Sequence, residues 1–289
     1  MGAKLSSFQR EISSTRHDDS SDFIDEISGL DISIIDESLI DILSFVPADN
    51  LIKNCRLVCK DWKDIIDGHS IWKIKCKREK KCIPAISFET LPSDYYKKIY
   101  LWNPYGRNLI QNPYGEEGLE KWTITRNGGD GFLVENPPAG ADPVPPEVGS
   151  QCCFATACMP CVKFQVVNLL AMGVSEEILQ LKTTKIQVGE WFCARFDCAS
   201  EYKLYIALLD EKYRQVDEDS TIENHQIDHF EHFFTEMQWA GSMWHSTTHT
   251  FENVAKARYV FFCHSGKDCQ FWAGNYGAKM TGAFVKIII

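Results

Sequence analysis

The chain of 289 residues is 44% hydrophobic and 12% aromatic with eight tryptophans, which excludes global disorder and suits a small module plus a domain of roughly 180 residues. Its net charge of −10 is uneven, −8 over residues 1–50, +7 over 51–110 and −9 beyond, so only the middle offers a polyanion a basic surface. No run approaches the ~18 apolar residues that cross a bilayer and no apolar N-terminal stretch resembles a signal peptide, so the twelve cysteines are expected reduced in a soluble, cytoplasmic chain.

In chain order, residues 1–30 are rich in Ser and Asp and bury too little apolar surface to offset ordering entropy, which predicts a disordered tail. Gly2 with Ser6 fits a myristoylation pattern, and one acyl chain would give reversible membrane attachment. From Ile34 the pattern turns helical, with Leu39, Ile42, Leu43 and Val46 recurring at three and four until Pro47 breaks the run. Asp49 is placed to cap a second helical stretch in which Leu51, Cys55, Val58, Trp62 and Ile65 share one face up to Gly68. A cluster this small leaves apolar surface for a partner to cover. The basic run Lys73, Lys75, Lys77, Arg78, Lys80 and Lys81 suits a solvated helix end at the negative pole of the macrodipole. A linker over 81–102 carries a short helix at 93–100.

Beyond it the periodicity is two. Residues 163–170, 185–196, 201–209, 257–264 and 282–289 read as strands rich in Val, Ile, Phe and Tyr, separated by Gly, Asp and Ser turns, which predicts an antiparallel sandwich or barrel. The proline-rich stretch 142–146 is a loop. Cys55, Cys59, Cys193 and Cys263 sit in apolar runs, where a free thiol acts as a small hydrophobe. Cys158 and Cys161, after Cys152 and Cys153, have the spacing of half a zinc site without its second half. His225, His229 and His232 lie in an acidic insertion over 217–239, read as an amphipathic loop helix with Phe230, Phe233 and Phe234 packing back and a metal site as the alternative. Around His245 and His249 there is no nucleophile elbow, and the turn Gly128-Gly129-Asp130-Gly131 lacks the Lys-Ser/Thr of a phosphate loop. These readings assemble neither catalytic machinery nor a cofactor or metal site, so a non-enzymatic role is expected.

The segment from Ile34 to Pro47, followed by Leu51, Cys55-Arg56-Leu57-Val58-Cys59-Lys60-Asp61-Trp62 and Ile71-Trp72, resembles the F-box, with Ile34-Ile35 standing where that family opens on Leu-Pro. The resemblance implies an F-box over 31–80. It would dock on the ligase adaptor Skp1, and through it a cullin, using Leu39, Leu43, Val46, Pro47, Leu51, Leu57, Val58 and Trp62.

Residues 103–289 are similar to the F-box-associated domain of the F-box proteins that recognise sugar chains. The likeness rests on Arg107-Asn108-Leu109-Ile110, Gly115-Glu116-Glu117-Gly118-Leu119, Trp122 and Phe271-Trp272-Ala273-Gly274-Asn275-Tyr276-Gly277. It implies an α+β multidomain chain, a three-helix F-box followed by an antiparallel β-sandwich of jelly-roll, galactose-binding type, acting as substrate receptor of a ubiquitin ligase. In the glycan-binding members a pocket at one end of the sandwich takes the core of a high-mannose N-glycan, and its positions map onto Cys158, Asp197, Phe271, Trp272 and Ala273. Asp197 and Trp272 keep a carboxylate for sugar hydroxyls and an aromatic face for the ring. Cys158, Phe271 and Ala273 depart from the family residues, so a protein client or altered ligand is the first expectation and a glycan in protein quality control the alternative.

Overall fold

Helix α1, Ile32–Ser44, opens the described residues, which in this computed structural model are 32–84, 92–213 and 222–289. Gly2 and the expected tail lie outside them. The chain divides into two compact units, residues 1–75 and 76–289.

In the first unit Leu39, Leu43 and Val46 turn one side of α1 and its exit inward, and Leu43 is buried. The helix end is closed by a residue read in the sequence as solvated. Lys75 is buried, and its Nζ donates to the carbonyls of Ser44 (3.0 Å) and Val46 (2.9 Å), so a cation meets carbonyls that lack helical partners. Lys75→Met strands both carbonyls and is expected to cost about 2 kcal/mol. Faster hydrogen exchange of the α1 amides, with exchange in the second unit unchanged, is the check.

The second helical stretch is broken where one continuous apolar face was expected. Helix α2 spans Ala48–Lys53, a 3-10 turn follows at Cys55–Leu57, Cys59 is extended, and α3 runs Lys60–Asp67. Val58 and Cys59 consequently leave the buried face and stand exposed, and Cys59 is no core hydrophobe. Pro47 occupies the N-cap of α2. Asp49 lies in its first turn, paired with Lys53 at 3.7 Å, and is not the cap. Arg56 grips Asp67 through two bonds of 2.7 Å, tying the 3-10 turn to the end of α3. Helix α4, His69–Arg78, brings Ile71 and Trp72 into the interior, where the indole donates to Ile66 at 2.7 Å.

In the second unit helix α5, Tyr95–Trp102, lies two residues beyond its expected span and ends at Asn103, whose left-handed φ of 44° stops it. Ten strands follow: β1 Thr123–Asn127, β2 Leu133–Glu135, β3 Cys153–Ala155, β4 Cys161–Asn168, β5 Lys185–Cys193, β6 Ser200–Leu209, β7 Gln226–Glu236, β8 His245–Phe251, β9 Tyr259–Asp268 and β10 Lys279–Ile288. A short helix α6, Glu176–Leu179, sits between β4 and β5. The strands form two five-stranded sheets, ordered β1-β4-β9-β6-β7 and β2-β3-β10-β5-β8, with every pairing antiparallel. From β3 onward the chain repeatedly crosses between the sheets, as in a jelly roll. Phe154, Phe192, Tyr202, Phe262, Val188, Leu204, Met280 and Val285 belong to the buried core. The sandwich expected from periodicity is observed, together with five strands that periodicity missed.

Two of those strands overturn the reading of the histidine run. Residues 226–236 are β7, and the two-residue period puts His229 and His232 on opposite faces, so they cannot share the side of a helix. Phe230, His232 and Phe234 point inward while Phe233 is exposed. His249 stacks on Phe230 at 4.5 Å, and His245 packs on Phe234 at 4.9 Å. The imidazoles serve as aromatic walls, and burial lowers the pKa of His232. Among the described residues no group of three or more His, Cys, Asp or Glu is placed to hold a metal ion, and no helix is long and apolar enough to cross a membrane. All twelve cysteines are free.

Candidate functional site

Register alone places the loops that matter. The pairs Asn127↔Cys161, Cys161↔Gly266, Ser200↔Asp268 and Ser200↔Glu236 bring the loops at 128–132, 156–160, 194–199, 237–244 and 269–278 to one edge of the first sheet. Leu133↔Ala155, Lys279↔Ala155, Lys279↔Cys193 and Phe192↔His245 bring the same loops to the corresponding edge of the second. All five loops therefore meet at one end of the sandwich.

The centre of this end is a chain of contacts from loop to loop. Arg195 Nε donates to Asp197 Oδ1 at 2.6 Å, and its guanidinium carbon lies 4.5 Å from the centre of the Tyr276 ring. Tyr276 meets Trp272 edge to face at 5.4 Å and 87°. The Asp197 carbonyl accepts from Gln238 Nε2 at 3.0 Å, and Phe196 and Trp239 pair their rings at 5.8 Å, held by the bond from Trp239 N to Phe196 O at 3.0 Å. Gly140, at φ 64°, sits where a Cβ would come within 2.8 Å of the Arg195 side chain, and its carbonyl accepts from Phe196 N. A second strut joins Asp130 to Gly274 N at 2.5 Å and Asn275 Nδ2 to the Gly131 carbonyl at 2.6 Å.

Of the five positions named from the sequence, Asp197 and Trp272 are drawn into one network through Arg195 and Tyr276. Phe271 is 70% exposed, at φ 59°, its amide held by Asp268 at 2.6 Å. Ala273 is exposed beside Trp272. Cys158 packs instead on the Gly128–Gly131 turn, where a Cβ on Gly129 would lie 2.8 Å from its sulfur. Neighbouring Cys198 donates to Gln270 Oε1 at 2.8 Å, and burial raises its pKa to about 11, so its thiol stays protonated. Sequence reasoning missed Arg195, Phe196, Trp239 and Tyr276. Trp239 offered the clearest signal, an aromatic just before Gly241 in a strand-to-strand turn, and it is 68% exposed. The arrangement provides aromatic faces and a fixed carboxylate, which is binding chemistry.

The helical unit presents a second surface. Leu43 and Leu51, expected as partner contacts, close its interior, because the α1 face that carries Leu39 and Leu43 is the inward one. Leu39, Val46 and Trp62 are half-buried and Pro47 is exposed. Ile42 and Phe45 on the outer side of α1, with Leu57 and Val58 after α2, are 62–75% exposed. Four large apolar side chains thus stand exposed within 17 residues of sequence.

The F-box associated region family matches residues 100–287, and the F-box-like family matches residues 36–78. The chain is 36% identical to F-box only protein 27 of Mus musculus over 264 residues, covering 87% of this chain and 88% of that one. It is 35% identical to F-box only protein 6 of Rattus norvegicus, covering 86% and 83%, and 35% identical to F-box only protein 44 of Homo sapiens, covering 86% and 93%.

Proposed function

The chain belongs to the F-box only proteins that carry an F-box associated region, and from that premise we propose that it is the substrate-recognition subunit of an SCF-type ubiquitin ligase. The helical unit binds Skp1, and through it a cullin, while the loop end of the sandwich holds the client. The chain itself carries no catalytic step.

The observation that supports this reading most is the exposed apolar set on a helical unit whose own interior is already closed by Leu43, Leu51, Ile66 and Trp72. It keeps Pro47, Leu57 and Val58 from the expected contact, sets aside the enclosed Leu43 and Leu51, and adds Ile42 and Phe45. Phe45→Asp and Leu57→Asp are each expected to weaken capture of purified Skp1 by at least about tenfold with helix content unchanged. A full-length chain that ignores Skp1 would end the proposal.

A glycoprotein client is supported by a second observation. Phe196, Trp239, Phe271 and Trp272 leave ring surface open around the Arg195–Asp197 pair, and sugar rings need an aromatic face beside a carboxylate acceptor. On a glycan array the wild type then gives a signal that Trp272→Ala and Trp239→Ala lose. Silence from the wild type leaves the protein-client reading standing alone.

A further inference from the structure

The outer face of the first sheet, at its margin toward the loop end and with Pro160 of the 156–160 loop in its lining, carries a groove that neither role above uses. Arg126↔Val162, Val162↔Ser265, Ser265↔Lys203 and Lys203↔Phe233 are successive register partners, so these five side chains form one row across all five strands. The next outward-facing pair toward the loop end is Glu201 opposite Lys267. Ser265 and Gly266 keep the middle of the row low, and a hollow of about 210 Å³ lies over them. Phe233, 62% exposed, stands at one edge, and the cation Arg126 at the other.

Charge identifies the occupant. Three cations and one carboxylate, Glu201, line this hollow, in a region, residues 111–289, whose net charge is −9. Lys203 meets Glu231 at 3.4 Å in an exposed pair and Lys267 meets Glu201 at 3.2 Å in a half-buried one, and surface pairs of this kind, worth about 0–1 kcal/mol, are displaced or shared by an incoming anion. Among the described residues no carboxylate pairs with Arg126. Size follows from sheet geometry: five strands span about 19 Å at ~4.8 Å each, and an extended polypeptide of about six residues covers that distance. A neutral sugar has no use for the three cations, whereas a short acidic peptide uses them and the Phe233 ring together.

We infer that this groove binds an extended acidic segment of about six residues from a protein partner, lying across the strands. Its anionic groups sit on Arg126, Lys203 and Lys267, and an apolar residue sits against Phe233. Carboxylate and phosphate supply the same chemistry, and the experiment separates them.

The test is fluorescence anisotropy of the full chain with labelled hexapeptides whose sheet-facing residues, every second one, are an apolar residue at one end followed by two of Glu, of phosphoserine or of Gln. At least one of the two anionic series is expected to bind with salt-sensitive affinity, and the stronger series identifies the source of the anion. The Gln series does not bind, and Arg126→Glu and Lys203→Glu each weaken the anionic peptide about tenfold. Trp239→Ala, at the loop end, leaves this binding intact and so separates it from the client site. Failure of both anionic series to bind overturns the inference, as does binding that survives both charge reversals. So does a neutral-glycan signal lost in Arg126→Glu without any peptide signal. Should a reversal disturb the circular dichroism spectrum, Arg126→Gln and Lys203→Gln carry the same comparison.

Discussion

Glu135→Leu is expected to destabilise the sandwich by about 4 kcal/mol, because it removes the carboxylate from a buried ion pair and leaves the cation behind. Lys279, the first residue of β10, is fully buried, and its Nζ donates to Glu135 Oε2 at 2.6 Å. The surroundings are dry. Cys153 beside the pair has its pKa pushed up to about 12 by burial, and burial raises that of Cys193 as well. The same Glu135 oxygen accepts from Ala139 N at 2.7 Å, one residue before the Gly140 that leaves room for Arg195, so the substitution also loosens the floor of the candidate site. In the double variant Glu135→Leu with Lys279→Met, an apolar pair of similar size replaces the ions and most of the loss returns. Urea unfolding of the wild type and the two variants decides the matter. A single-variant loss below about 1 kcal/mol would mean that Lys279 finds water, and the pair would then have no hold on the loop end.

What the sequence disclosed and what it hid have a common physical origin. Strands β4, β5, β6, β9 and β10 alternate apolar residues with others over eight or more positions, and each was found. Strands β2 and β3 are three residues long and show too little period to read. In β7 and β8 the inward positions include His232, His245 and His249, polar letters in a sequence that pack as aromatic rings here, and an eleven-residue strand was taken for a loop helix. The candidate site divides in the same way. Asp197 and Trp272 were named through the family motif, whereas Arg195, Tyr276, Phe196 and Trp239 come together only when five loops far apart in sequence close at one end of the sandwich. On the helical unit, spacing marked Leu39, Leu43 and Val46 as one face. It could not say that this face is the inner one, because that depends on where α4 delivers Trp72 and Lys75.

The last expectation concerns acid. His264 is fully enclosed in the core with Nδ1 2.8 Å from Glu190 Oε2 and its ring stacked on Trp122 at 4.6 Å, while Tyr202 donates its hydroxyl to the other Glu190 oxygen. Lys163 lies alongside, its Nζ 3.6 Å from the Trp122 ring centre. Burial outweighs the pull of Glu190, and with Lys163 adding to it the His264 pKa falls from 6.5 to about 4. The unfolded chain therefore takes up this proton near pH 6.5 and the folded chain only near pH 4, so the unfolded state binds more protons in between. Stability is fully present above 6.5 and falls as the pH drops toward 4, by a total of about 3 kcal/mol from this group. Lys163, whose pKa burial also lowers from 10.5, works in the same direction from the alkaline side and does not offset the loss. His264→Phe removes the titration while keeping an aromatic ring against Trp122. It is expected to flatten the slope of unfolding free energy between pH 6.5 and 4 relative to wild type, whatever it does to stability at neutral pH. Equal slopes in the two proteins across that window would show that the ring is protonated within the fold, with Glu190 as its partner in a buried ion pair.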